Sequence, residues 1–169
     1  MGETRHGSSI PSTILRDTRE QRTWTFERCA VETRDVTLST GDYAVPTACT
    51  HDPESDTYHP RFAVERKSGD DFLTALTWER DRFCSELRRA TEWPQPLAVV
   101  VETSWETLLQ NRGCMAWRDI HPNQMVGTLS TWTRHYNVVF RFVESRRRAE
   151  LCTFLLLIRH SLRRRREKI

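Results

Sequence analysis

Apolar and polar residues are patterned along this chain as strands separated by helices. Thr13-Ile14-Leu15-Arg16-Asp17 reads as a short strand ending on a carboxylate, after a flexible lead-in over residues 1–12. Trp24, Phe26, Ala30 and Val31 precede a further strand at Val36-Thr37-Leu38, which reaches the turn Ser39-Thr40-Gly41-Asp42. Tyr43-Ala44-Val45 continues that strand or starts its partner. Residues 47–60 are polar, hold two prolines and show no period, so a long loop is expected. Residues 61–67 then alternate, with Phe62 and Val64 on one face. A period of two puts Glu65 and Lys67 together on the other.

Helical spacing follows. Asp70 or Asp71 is expected to cap a helix containing Phe72, Leu73 and Leu76, and Phe83, Leu87 and Ala90 mark a second. Leu97-Ala98-Val99-Val100-Val101 suits a strand buried in a sheet interior. Thr103-Ser104-Trp105-Glu106 has capping-box spacing for a helix stopping near Gly113. Met125, Val126, Leu129, Trp132 and Tyr136 predict a helix opening near Pro122, followed by a strand over residues 138–143. Leu151, Phe154, Leu155, Ile158 and Leu162 form the apolar stripe of a last helix. This alternation predicts an α/β domain with a central mixed sheet flanked by helices.

The length of 169 residues fits one domain, expected over residues 13–158 with a basic tail over 159–169. The longest apolar runs, residues 97–101 and 154–158, hold five residues each, against about 20 for a membrane span, so no membrane association is expected. Five cysteines without a C-x-x-C pair fit reduced, structural thiols. The expected location is intracellular: cytoplasmic, at the nucleoid, in a prokaryote or phage, nuclear in a eukaryote.

Net charge is +3, but residues 159–169 carry +5 of it and the rest −2. Of 26 basic residues only Lys67 and Lys168 are lysines. Lys67 thus departs from a strong preference for guanidinium, and a compact ammonium suits work beside a reacting phosphate or water. Asp17, Asp42, Glu65 and Lys67 lie near the ends of neighbouring predicted strands. Acids and a base so gathered point to a divalent-metal hydrolase, because Mg²⁺ takes one or two carboxylates together with substrate phosphate and waters. Taken singly, each residue has a plainer reading: Gly41-Asp42 a turn, Glu65 with Lys67 a solvated strand face, Asp71 a helix cap.

Gly41-Asp42-Tyr43 followed by Val64-Glu65-Arg66-Lys67-Ser68-Gly69-Asp70-Asp71 resembles the XPF-type structure-specific endonuclease signature, G-D…E-R-K-x-x-x-D. Asp17-Thr18-Arg19-Glu20 resembles the D-x-R-E element that precedes it, and the likeness extends over residues 13–143. The resemblance implies a restriction-endonuclease-like PD-(D/E)XK fold, Mg²⁺ dependence with Mn²⁺ as substitute, and cleavage of branched, flap or junction DNA in repair, recombination or phage DNA processing. By position it implies Asp42 and Glu65 as metal ligands with the Arg66 carbonyl, Arg66 also as a phosphate contact, Lys67 as catalytic lysine, and Asp17, Glu20 and Asp71 as supporting acids. Asp17 and Glu20 would position a second metal or a water. It also implies a homodimer or heterodimer, with a helicase or clamp as a further partner. A non-catalytic DNA-binding module is the alternative.

The 22 residues between Asp42 and Glu65 exceed the usual family spacing, which a hairpin with a long tip would absorb. In 169 residues neither a helicase region nor a second helix-hairpin-helix module is expected, although family members commonly carry such modules, and the chain resembles the compact versions of phage and mobile elements. Arg163, Arg164, Arg165 and Arg166 are expected to grip DNA phosphates, and Arg146-Arg147-Arg148 do so more weakly. Cys49, His51 and His59 match no zinc spacing. Trp78 and Trp117 fall outside the apolar stripes, and either pack normally or stack on an unpaired base.

Overall fold

The computed structural model describes residues 13–110 and 120–166, with 163–166 described by backbone alone. Three strands run parallel at one end of its sheet: β6 (Val64–Lys67), β7 (Leu97–Val101) and the edge strand β8 (Val138–Phe142). Every β7 residue is buried, because β7 has a strand on each side and a helical layer on each face. Beyond β6 come β3 (Tyr43–Ala44), β1 (Thr13–Asp17), β2 (Glu32–Leu38), β5 (Thr57–Pro60) and β4 (Cys49–Asp52), giving the order β4-β5-β2-β1-β3-β6-β7-β8. Only β3 and β4 run against the others.

Alternation sorts the strand residues between two cores. Leu15, Ala44, Leu97, Val99 and Val101 face α1 (Gly69–Leu76), α2 (Arg80–Arg89), α3 (Trp105–Gln110) and α4 (Pro122–His135). Ile14, Tyr43, Val64, Ala98 and Val100 face α5 (Arg146–Arg166) and the 18–31 connection, whose Trp24 stacks on Tyr43 at 4.9 Å. No described helix is long and apolar enough to cross a membrane. Cys29, Cys49, Cys84 and Cys152 are free thiols, and burial pushes Cys49 up to about 12.

Several expectations are corrected. Residues 47–60 are a short 3-10 turn, Pro46–Ala48, and a β4–β5 hairpin laid beside β2, not a loop. Its tip is tight: Asp52 accepts hydrogen bonds from Glu54 N–H and Ser55 Oγ–H at 3.0 and 2.7 Å, and Asp56 takes a positive φ of 47°. The hairpin absorbs the long interval before Glu65 without a long tip. β3 partners β1 and β6, not β2.

Ser68, not Asp70 or Asp71, caps α1, its Oγ accepting from Asp71 N–H at 3.1 Å. Ser104 caps α3 in the same way through Thr107 N–H at 3.0 Å. The expected stop near Gly113 lies outside the described residues. Val126 of α4 is exposed.

The largest reversal concerns α5, which runs unbroken across the expected 158/159 boundary. Its buried face is Ala149, Thr153, Leu157, His160 and Ser161, while Leu151, Leu155 and Leu162 are exposed. Two residues rotate a helix by about 200°, so the leucine stripe stands opposite the face that meets the sheet.

Candidate active site

Strand direction gathers the polar residues. β1, β6 and β7 are parallel, so their carboxyl ends, at Asp17, Lys67 and Glu102, share one edge of the sheet. β3 runs the other way, so Asp42 at its start lies on that edge too. Asp17 N–H bonds to the Asp42 carbonyl at 2.8 Å and Asp42 N–H to the Val64 carbonyl at 2.9 Å, fastening the three strands. Gly41 makes the turn with φ 80°, and a Cβ there would meet the Ala63 Cβ at 2.7 Å, so only glycine fits.

Asp17, Glu20, Asp42, Glu65, Lys67 and Asp71 all line one cleft of about 710 Å³. Asp42 Oδ2 accepts from Arg66 N–H at 2.7 Å. Burial, then the charge of Glu65, raises its pKa well above the usual carboxylate value. Glu65 is buried and its pKa is raised by that burial, against the lowering effect of Lys67. Lys67 Nζ stands 2.6 Å from Glu65 Oε1, 3.8 Å from Glu86 Oε2 and 5.0 Å above the Phe83 ring. Burial works against the charged ammonium, but Glu65 and Glu86 outweigh it and hold the pKa above the ordinary lysine value.

The remaining expected residues are placed differently. Asp17 accepts Arg19 N–H, Nε and Nη2 and the Leu38 N–H at 2.7–3.0 Å, so it staples β1 to β2 rather than offering free oxygens. Glu20 Oε1 takes Arg22 N–H at 2.5 Å and faces Arg66 Nη1 at 3.4 Å. The Arg66 guanidinium, only 3% exposed, points away from the cleft centre into a bidentate pair with Glu102 at 2.9 and 2.7 Å. Strand alternation sends the Arg66 side chain to the α5 side, where these ion pairs engage it, while the residue still lines the cleft. Asp71 is exposed and accepts from Ser68 Oγ–H at 2.7 Å. The side chains of Arg163, Arg164, Arg165 and Arg166 lie outside the described residues.

Two carboxylates were missed from the sequence. Glu86 reaches Lys67 from α2, where its only local signal is its place beside Leu87 on the helix. Glu102 also accepts from Trp24 Nε1–H at 2.7 Å and from Arg146 at 3.0 Å. Its signal is position: it is the first polar residue after five apolar ones, at the carboxyl end of a parallel strand, where sites collect. Among the described residues no group of three or more His, Cys, Asp or Glu is gathered as a metal cluster by itself.

The fold and this edge define an XPF-type α/β nuclease domain. XPF from Aeropyrum pernix superposes with a TM-score of 0.62 at 19% identity, over 85% of this chain and 64% of that one. XPF from Aeropyrum pernix in complex with DNA superposes with a TM-score of 0.62 at 20% identity, over 90% and 66%. The chain thus spans about two thirds of the length of those structures. No curated protein sequence matches it. The ERCC4 domain model matches residues 16–156, and the chain belongs to the ERCC4 domain family.

Proposed function

We propose that this chain is a metal-dependent endonuclease that hydrolyses phosphodiester bonds in branched, flap or junction DNA. The observation that carries the reading is the convergence of Asp42, Glu65 and Lys67 on one cleft edge. The likeness to an XPF structure holding DNA supports the substrate class.

The donor set fits Mg²⁺ or Mn²⁺. Two carboxylates with raised pKa values leave negative charge poorly compensated in a confined site, the condition a hard divalent cation relieves, and Mg²⁺ asks for no more than one or two of them. Asp42, Glu65 and the Arg66 carbonyl would hold it. When bound, such an ion polarises a phosphoryl oxygen and lowers the pKa of its water. Lys67, fixed between Glu65 and Glu86, presents a permanent positive charge to the pentavalent phosphorus and orients the attacking water. Arg66 keeps Asp42 in place through its backbone N–H.

The test is cleavage of labelled fork, flap, four-way and linear DNA in Mg²⁺ and in EDTA. Cutting of the branched substrates in Mg²⁺ alone is expected. Binding without cutting, in Mg²⁺ and Mn²⁺ alike, would favour the non-catalytic module instead.

We also infer a dimer through α5. Leu151, Leu155 and Leu162 are 50%, 56% and 38% exposed and, with half-buried Ile158 between them, repeat at steps of four, three and four, a seam that matches itself. Leu155→Glu is expected to halve the mass seen by light scattering while leaving the circular dichroism spectrum of the folded chain unchanged. A wild-type chain that stays monomeric at tens of micromolar disproves the seam.

A further inference from the structure

Trp78 is unlike the other tryptophans whose surroundings are known. Trp24 and Trp132 are buried and Trp93 and Trp105 half-buried, whereas Trp78 is 67% exposed, the most exposed of the large apolar residues described. Among the described residues its indole meets no hydrogen-bond partner and no other ring. A tryptophan left in water forgoes a large burial gain, and nothing in the packing of α1 or α2 requires one there.

Its mounting is rigid. Trp78 sits in the three-residue turn between α1 and α2, where Thr77 N–H and Glu79 N–H both bond to the Thr74 carbonyl at 3.0 Å and Thr77 Oγ–H bonds to the Leu73 carbonyl at 3.0 Å. Its location is the rim of the catalytic cleft. The next residue, Glu79, lines that cleft, as do Arg82 and Glu86 further along α2 and Asp70 and Asp71 at the start of α1. Arg82 is itself 67% exposed.

What would cover such an indole is narrowed by its neighbours. Glu79, Arg80, Asp81 and Arg82 are all exposed, so there is no apolar apron of the kind that surrounds a protein-docking hot spot. An exposed π-face four residues before an exposed guanidinium, that of Arg82, whose surface pairs with Glu79 at 3.2 Å and Glu86 at 3.8 Å are weak enough for a phosphate to displace, offers one nucleotide a ring for its base and a cation for its phosphate. In a duplex both faces of each internal base are already stacked, so the free face belongs to an unpaired base.

We propose that Trp78 is a stacking platform for an unpaired nucleobase at the cleft rim, with Arg82 taking the adjoining phosphate, so that the enzyme selects duplex–single-strand junctions by the first unpaired nucleotide. This rests on the endonuclease reading and adds the residue that recognises the junction.

The test is fluorescence anisotropy in EDTA, where no strand is cut, with wild type, Trp78→Ala and Trp78→Phe against forked DNA and a blunt duplex of the same sequence. Trp78→Ala is expected to weaken fork binding roughly 5- to 150-fold, the range base–aromatic stacking commands, and to leave duplex binding unchanged. Trp78→Phe restores most of the loss, and Arg82→Gln weakens fork binding and lowers its salt dependence. In cleavage, Trp78→Ala raises KM and spares kcat. Equal losses on fork and duplex, or none on either, overturn the proposal. Fork binding that depends on Trp78 in a chain that never cuts defeats the endonuclease reading and leaves the platform standing. Cutting of forks that ignores Trp78→Ala does the reverse, and a chain that binds no DNA defeats both.

Discussion

Asp42→Asn and Lys67→Ala are each expected to lower Mg²⁺-dependent DNA cleavage by at least roughly 10²–10³-fold, the scale for removing one preorganised electrostatic contact, while shifting stability in opposite directions. The Asp42 carboxylate is held in a confined site beside Glu65, and its pKa is raised by burial and by that neighbour. A raised carboxylate pKa means that the folded state binds the proton more tightly than the unfolded state. The metal-free protein therefore gains stability as pH falls through the folded pKa, and the anion costs stability above it. Asparagine keeps a carbonyl for Arg66 N–H and carries no charge, so the metal-free Asp42→Asn protein should melt higher than wild type at neutral pH. Lys67→Ala does the opposite, stranding Glu65 without its 2.6 Å partner. Breaking a buried pair from one side costs about 3–5 kcal/mol, and each kcal/mol moves the melting temperature by roughly 2–4 °C in a chain of this size. Cleavage assays paired with thermal melts in EDTA check both halves. An Asp42→Asn protein that still cuts, or that melts below wild type, removes Asp42 from the role assigned to it.

The second large effect is expected at Glu102. Its two oxygens receive Arg66 twice, Trp24 Nε1–H and Arg146, and Arg146 in turn donates to the Arg22 and Thr23 carbonyls at 2.9 and 2.6 Å. One carboxylate thus ties β6, the 18–31 connection and α5 together behind the cleft. Glu102→Ala leaves the Arg66 guanidinium, 3% exposed, facing only Glu20 at 3.4 Å. A loss of about 3–5 kcal/mol follows, with Glu102→Gln intermediate because it keeps one acceptor oxygen. Activity should fall through kcat more than KM, because Arg66 N–H positions Asp42 from the same strand. A Glu102→Ala protein with the wild-type melting temperature would show that this hub contributes nothing.

Much of the site was legible locally. The turn at Gly41 and the period of two in β6 placed Asp42 before a strand and Glu65 with Lys67 on one face, and the 2.6 Å contact between them is that alternation made visible. The same alternation already separated Arg66 from them, although the motif alone marked it as a phosphate contact. Glu86 and Glu102 were not legible, because they approach from elements about 20 and 35 residues away in sequence and carry no period of their own.

Outside residues 47–60, local periodicity alone determined the strand and helix order, the buried β7 and the shared face of Glu65 and Lys67, because these follow from rise and rotation per residue. Only the tertiary structure decided which of two apolar faces of α5 meets the sheet, that Trp78 stays in water, and that residues 47–60 pair with β2. Each of those depends on what another element covers, and burial is a property of neighbours, not of the stretch of chain that becomes buried.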